Sequence, residues 1–172
     1  MPPNLRPLPK PLVDKIRTGV TLNTVPQAVV ELLCNSLDAE ARTVLIKLNA
    51  ATLSFTVEDD GCGICSEDLE LVGTRYYTSK LRSLTDYAAG ILTLGFRGEA
   101  TSGLASIAAE LAVTTRARGR FETLSKVLRN GGAETRSGPS AVALTHCGTV
   151  VVVKRLLYNQ PVRQRQLAAQ PR

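Results

Sequence analysis

The apolar and polar positions between Asn23 and Ala39, NTVPQAVVELLCNSLDA, repeat at helical spacing and predict a helix over that stretch. Val30, Leu33 and Leu37 form one stripe, flanked by Val29 and Leu32, and are the expected core face. Glu31, Asn35 and Asp38 form a second stripe, because side chains four and three apart share a helix face. Asn23 or Thr24 offers a side-chain oxygen to the first-turn amides, and Pro26 falls where a missing N–H costs nothing. The second stripe holds two acids and an amide and no Lys or Arg. A solvated face usually mixes signs, whereas carboxylates and amides in a row supply oxygen ligands for a hard cation such as Mg²⁺.

After the helix the pattern shifts to period two. Val44, Ile46 and Leu48 alternate with polar residues, Asn49–Thr52 reads as a turn, and Leu53, Phe55 and Val57 alternate again. The two strands are expected to pair as a hairpin over the helix. The second runs into Glu58-Asp59-Asp60-Gly61-Cys62-Gly63-Ile64. There, two glycines let the backbone turn sharply and approach a ligand, and a strand-end carboxylate can accept a donor from that ligand's edge. Taken alone, such an acidic turn is also an ordinary hairpin exit.

Ser66, Glu67 and Asp68 read as the cap and first turn of a short helix with Leu69 and Val72 inward, ended by Gly73. Residues 74–94 have no clear period, and a long unpatterned stretch inside a compact domain suits a lid. Gly95-Phe96-Arg97-Gly98-Glu99 opens a helix expected from Ala100 to about Ala109, whose bare N-terminal amides suit an anion. No G-x-x-x-x-G-K-[ST] is present, which excludes a P-loop. Leu111 and Val113 begin a strand, Phe121 to Leu128 reads as another, and residues 129–148 as a surface loop. Thr149-Val150-Val151-Val152-Val153 is the best candidate for a buried central strand. At the ends, residues 1–11 read as a proline-rich extended arm, Leu12 to Thr18 as a short helix stopped at Gly19, and residues 166–172 as a frayed tail.

Composition narrows the classes. At 172 residues and 44% hydrophobic, the chain is expected to be globular, one domain or one large domain cut short. It has no apolar run near the roughly 18 residues of a membrane span. Its start, MPPNLRPLPKPL, lacks the apolar block of a signal peptide, so no membrane partner is expected. A net charge of +6 suits polyanions such as nucleic acid or nucleotide phosphates. The absence of Trp and an aromatic content of 4% argue against a stacking platform for single strands. Cys62 and Cys65 form a C-x-x-C, and His146-Cys147 adds two possible zinc ligands. Only one pair has zinc spacing, and Cys62 lies between the two glycines, so reduced intracellular thiols are the expectation.

In this order the elements resemble the GHKL ATPases, the superfamily of gyrase B, Hsp90, histidine kinases and MutL. The resemblance rests on the E-x-x-x-N helix (Glu31, Asn35), D-x-G-x-G (Asp59, Gly61, Gly63), a glycine-containing lid and a Gly148-Thr149 strand start. Asn35-Ser36-Leu37-Asp38-Ala39, Thr78-Ser79-Lys80, Gly95-Phe96-Arg97-Gly98-Glu99-Ala100 and Pro161-Val162-Arg163 look like MutL-type mismatch-repair proteins. Arg75-Tyr76-Tyr77 and Leu157-Tyr158 look most like the third eukaryotic MutL homologue. The resemblance spans about Val13 to Arg165.

That resemblance implies an α/β (α+β) sandwich, the GHKL ATP-binding fold, with helices on one face of a mixed sheet. The domain is expected over residues 12–165, with the lid at about 74–98. It implies a Mg²⁺-dependent ATPase acting as a switch in DNA mismatch repair and possibly meiotic recombination, in the nucleus, with DNA and another MutL homologue as partners. By the same resemblance Glu31 is the general base, Asn35 binds Mg²⁺, and Asp59 accepts the adenine amino group, with Gly61 and Gly63 letting the backbone close on the base. Thr78, Ser79, Lys80 and the amides of Gly95, Phe96, Arg97, Gly98 and Glu99 wrap the phosphates, and Thr149 braces Asp59 and a water. Asp38 is expected to act as a structural cap or ion pair.

Several positions depart from the family pattern. Asp60 stands where Asn is common and is expected to add charge near the base pocket. Thr101 replaces Leu, and Gly103 is expected to weaken its helix. Family members continue into a second subdomain whose lysine reaches the γ-phosphate, so this chain is expected to bind nucleotide and turn it over poorly. The alternative is a catalytically silent nucleotide- or DNA-binding module.

Overall fold

The structure, a computed structural model, describes residues 24–74, 94 and 100–168. The N-terminal arm and first short helix, the body of the expected lid with Tyr76 and Tyr77, and residues 169–172 lie outside the described residues.

Helix α1 (Val25–Asp38) begins where the capping chemistry placed it. The Gln27 amide donates to Thr24 Oγ1 at 3.3 Å, and Pro26 occupies the first turn. Its buried stripe, however, is Val25, Ala28, Leu32 and Ser36, while Val30 is 54% and Leu37 49% exposed. The helix therefore lies rolled away from the face that its larger apolar side chains suggested. Ala28, fully buried, allows close approach, and Ser36 takes a polar partner inside the core.

Strands β1 (Val44–Asn49) and β2 (Ser54–Asp59) form the expected antiparallel hairpin. Phe55, Val57 and Asp59 are buried, but Ile46 and Leu48 on β1 are exposed. Among the described residues β1 is an edge strand and α1 packs on β2, so the apolar alternation in β1 is left uncovered. Helix α2 (Ser66–Leu71) follows; Cys65 rather than Ser66 takes the cap position, without a side-chain hydrogen bond. Leu69 buries its side chain.

Helix α3 spans Ala100–Ile107 and passes directly into β3 (Ala108–Arg116), so the strand starts three residues earlier than its apolar pattern announced. Gly103 does not prevent the helix, because Ser102 to Ile107 are all buried and packing supplies what propensity lacks. β4 is Leu124–Arg129, with Phe121 left outside it and 92% exposed. The expected loop over residues 129–148 instead contains a 3₁₀ turn (Asn130–Gly132) and β5 (Glu134–Pro139). β5 is the second edge strand, so it needs no apolar alternation and left none to read. β6 (Gly148–Leu156) is interior, as expected. Helix α4 (Pro161–Ala168) takes up the first residues of the expected tail, with Leu167 packed on the core and Gln164 Nε2 donating to the Leu156 carbonyl at 3.2 Å.

The strand order is β1-β2-β6-β3-β4-β5. All five pairings are antiparallel, so the described sheet is not mixed as expected. β2 and β3 run the same way but β6 lies between them, and no parallel ladder forms. α1 and α3 cover one face, where Leu32, Leu104 and Ile107 meet Phe55, Val57, Leu111, Leu128 and Val153. Register divides that face into rows. Phe55, Val153 and Leu111 make one row, and Val57, Val151 and Val113 the next. The third row is Asp59, Thr149 and Thr115, polar and at one end of the strands.

Candidate functional site

The polar row is buried: Asp59 and Thr149 are each 7% exposed and Thr115 1%. Such groups are tolerated inside only when paired. Asp59 Oδ1 accepts the Gly61 amide at 3.0 Å and the Thr149 amide at 3.2 Å. Asp59 Oδ2 accepts the Ser36 hydroxyl at 2.9 Å, the same hydroxyl lying 3.2 Å from the Leu32 carbonyl. A carboxylate offers about four lone-pair directions. Three are taken, so among the described residues one direction on Oδ2 is left for a ligand donor. Helix α1, the end of β2, the following turn and the start of β6 thus converge on one carboxylate.

The turn is held from the other side by Thr115. Its Oγ1 accepts the Ile64 amide at 2.9 Å, donates to the Gly148 carbonyl at 2.9 Å and lies 3.2 Å from Thr149 Oγ1. The Cys62 amide donates to the Ala39 carbonyl at 2.9 Å, and the Arg118 amide to the Cys62 carbonyl at 2.8 Å. The turn approaches the rest of the protein closely on this side. Gly63 has φ +69°, and a Cβ there would stand 2.2 Å from the Arg116 carbonyl oxygen. At Gly148 a Cβ would stand 2.0 Å from the Asp59 carbonyl oxygen. Either side chain would separate the strands that carry the row.

Asp59, Gly61, Gly63 and Thr149 are thus brought together. Asn35, half-buried, sits one residue before Ser36, and Glu31, exposed, one turn earlier on the same helix. Asp38 Oδ1 accepts the Leu94 amide at 2.9 Å, a backbone contact where a cap or ion pair is expected from the sequence. Thr78, Ser79, Lys80, Gly95, Phe96, Arg97, Gly98 and Glu99 lie outside the described residues.

Asp60 departs from its expected place. Its Oδ1 accepts the Arg42 amide at 2.7 Å and the Thr43 amide at 2.9 Å. Those Thr43 and Arg42 hydrogen bonds hold its carboxyl below the usual carboxylate range. Its charge is spent on the bend between α1 and β1 and not on the pocket. Ser36 and Thr115 were not singled out by residue-type reasoning. Ser36 lay inside a recognised block, but only the fold shows which strand it meets; Thr115 carries no local motif.

Cys34, Cys62, Cys65 and Cys147 are all free thiols. Among the described residues no three His, Cys, Asp or Glu side chains are grouped to hold a metal. No helix among them is long and apolar enough to cross a membrane.

The pattern of the histidine kinase-, DNA gyrase B- and HSP90-like ATPases matches residues 23–138. The human DNA mismatch repair protein Mlh3 is 36% identical over 151 residues, covering 88% of this chain and 10% of that protein. MutL of Azotobacter vinelandii is 36% identical over 160 residues, covering 92% of this chain and 24% of that one. The chain thus spans a quarter or less of the length of these relatives. A crystal structure of the N-terminal domain of a DNA repair protein superposes with a TM-score of 0.68 at 30% identity, covering 91% of this chain and 43% of that one. With the carboxylate-centred site at the end of an antiparallel sheet, these findings agree: the chain is similar over most of its length to one region of the MutL and Mlh3 proteins, and it belongs to the histidine kinase-, DNA gyrase B- and HSP90-like ATPase family.

Proposed function

We propose that this chain binds ATP with Mg²⁺ and hydrolyses it slowly, as the switch of a mismatch-repair protein that also serves meiotic recombination. The observation that carries the reading is the Asp59 carboxylate, held by Gly61, Thr149 and Ser36 with one acceptor direction left over. An adenine amino group fits that vacancy in chemistry; a carbonyl does not. Glu31 acts as general base toward a water, since an exposed carboxylate one turn from the site can take its proton. Asn35 supplies an oxygen to Mg²⁺, which offsets phosphate charge.

Residues 78–80 and the amides of residues 95–99 wrap the phosphates, and the lid is about residues 74–98. The nucleotide-binding unit runs over residues 12–165. A second MutL homologue is the dimer partner, the nucleus is the place of action, and DNA binds the basic surface.

The test is equilibrium binding of a labelled ATP analogue, with and without Mg²⁺, to wild type, Asp59→Asn and Asn35→Ala. Mg²⁺-dependent binding weakened by both changes is expected. A folded wild type that binds no nucleotide would overturn the reading.

A further inference from the structure

Thr115 stands on the row beside Asp59 and Thr149, its side chain is buried, and it has no part in the reading above. A hydroxyl has one proton and two lone pairs. At Thr115 the proton is committed, because the Gly148 carbonyl, 2.9 Å away, can only accept. One lone pair receives the Ile64 amide at 2.9 Å. The remaining contact, to Thr149 Oγ1 at 3.2 Å, can then be made in one direction alone, with Thr149 donating and Thr115 accepting.

Thr149 has thereby spent its only proton inside the protein, and among the described residues no donor takes its lone pairs, which leaves them to a ligand. Its neighbour Asp59 is likewise an acceptor. From this we infer that Thr115 is a specificity-positioning residue: it fixes the proton order of the row so that the base pocket presents acceptors only, favouring a 6-aminopurine and rejecting a 6-oxopurine. The inference rests on the nucleotide-binding reading of the same site. Asp59 sets the preference, and Thr115 prevents Thr149 from turning its proton toward an oxo group and relaxing it. A site whose polar groups are pre-committed discriminates because the wrong ligand leaves them facing a like partner.

The probes are labelled ATP and GTP analogues, and the readout is the ratio of their dissociation constants. In Thr115→Val, which keeps the shape and removes the hydroxyl, the preference for ATP is expected to fall roughly tenfold, mainly by tighter GTP binding, as one unmatched buried polar contact is relieved. Thr115→Ser should restore the wild-type ratio. If Thr115 is only a strut, both nucleotides weaken together and the ratio stands, which overturns the inference. Should Thr115→Val fail to fold, Thr149→Val removes the accepting oxygen itself, and an unchanged ratio there overturns it equally. A wild type that binds both nucleotides alike also overturns it. A wild type that binds neither overturns the nucleotide reading beneath it, so the two failures are distinguishable.

Discussion

Asp60 turns its carboxylate to the Arg42 and Thr43 amides, so a residue expected to burden the base pocket instead ties the end of α1 to β1. Because those bonds hold its folded-state titration below the unfolded value of 3.8, its stabilising contribution is fully present above that pH. It is lost as pH falls through the folded value. Asp60→Ala is expected to lower the melting temperature at neutral pH and to reduce the loss of stability on acidification. Asp60→Asn, whose amide oxygen can accept the same two bonds, should lie nearer wild type. Melting curves from pH 7 down to pH 3 check both. The contrast with Asp59 is instructive: adjacent carboxylates in one motif point to opposite sides of the turn, and the division of labour follows from strand alternation.

Helix α1 shows what an element's pattern leaves open. Two stripes at helical spacing compete along it: Val30, Leu33 and Leu37, and Val25, Ala28 and Leu32 continued by Ser36. Hydrophobicity favours the first. The second wins because it lets Ala28 come close to the sheet and brings Ser36 to Asp59. Leu32→Ala, at 3% exposure, is expected to cost about 2–5 kcal/mol, as a buried leucine truncation does. Leu37→Ala, at 49% exposure, should cost less than about 1 kcal/mol. Denaturant titration of the two variants decides between the stripes; equal costs would count against the observed roll. A similar lesson applies to α2. Lys126, 4% exposed, donates to the Glu70 carbonyl, and Ser137 Oγ donates to Glu70 Oε1 at 2.8 Å, fixing this short helix on β4 and β5. Burial pushes the Lys126 ammonium below its ordinary value, with Glu70 opposing.

At the scale of the molecule, the site is an end effect of the sheet. Two apolar rows give way to a polar row, and each residue of that row comes from a different strand. On the proposed reading, a nucleotide seated there would touch β2, β6 and α1 at once, so its binding would stabilise the whole fold. At a hundredfold excess over its dissociation constant, ATP should add about 2.7 kcal/mol. For a chain of this size that is a rise of about 5–10 °C in melting temperature. Differential scanning fluorimetry with and without ATP and Mg²⁺ measures it, and Asp59→Asn should abolish most of the rise.

Short windows of chain were enough for a helix start at Asn23 or Thr24, the β1–β2 hairpin, the acidic turn with its glycines and the interior β6, and the motif blocks were enough for the family. Each is a local matter of periodicity, capping or turn chemistry, with its cause inside a short window of chain. The tertiary structure alone decided the roll of α1, the exposure of Ile46 and Leu48, the pairing of β5 and the direction of Asp60. It also decided the meeting of Ser36 with Asp59 and of Thr115 with Thr149. Those depend on which strand lies beside which, and register between residues 34 and 90 positions apart, as at Thr115–Thr149 and Asp59–Thr149, is set by the packing of the whole core and not by any neighbouring residue.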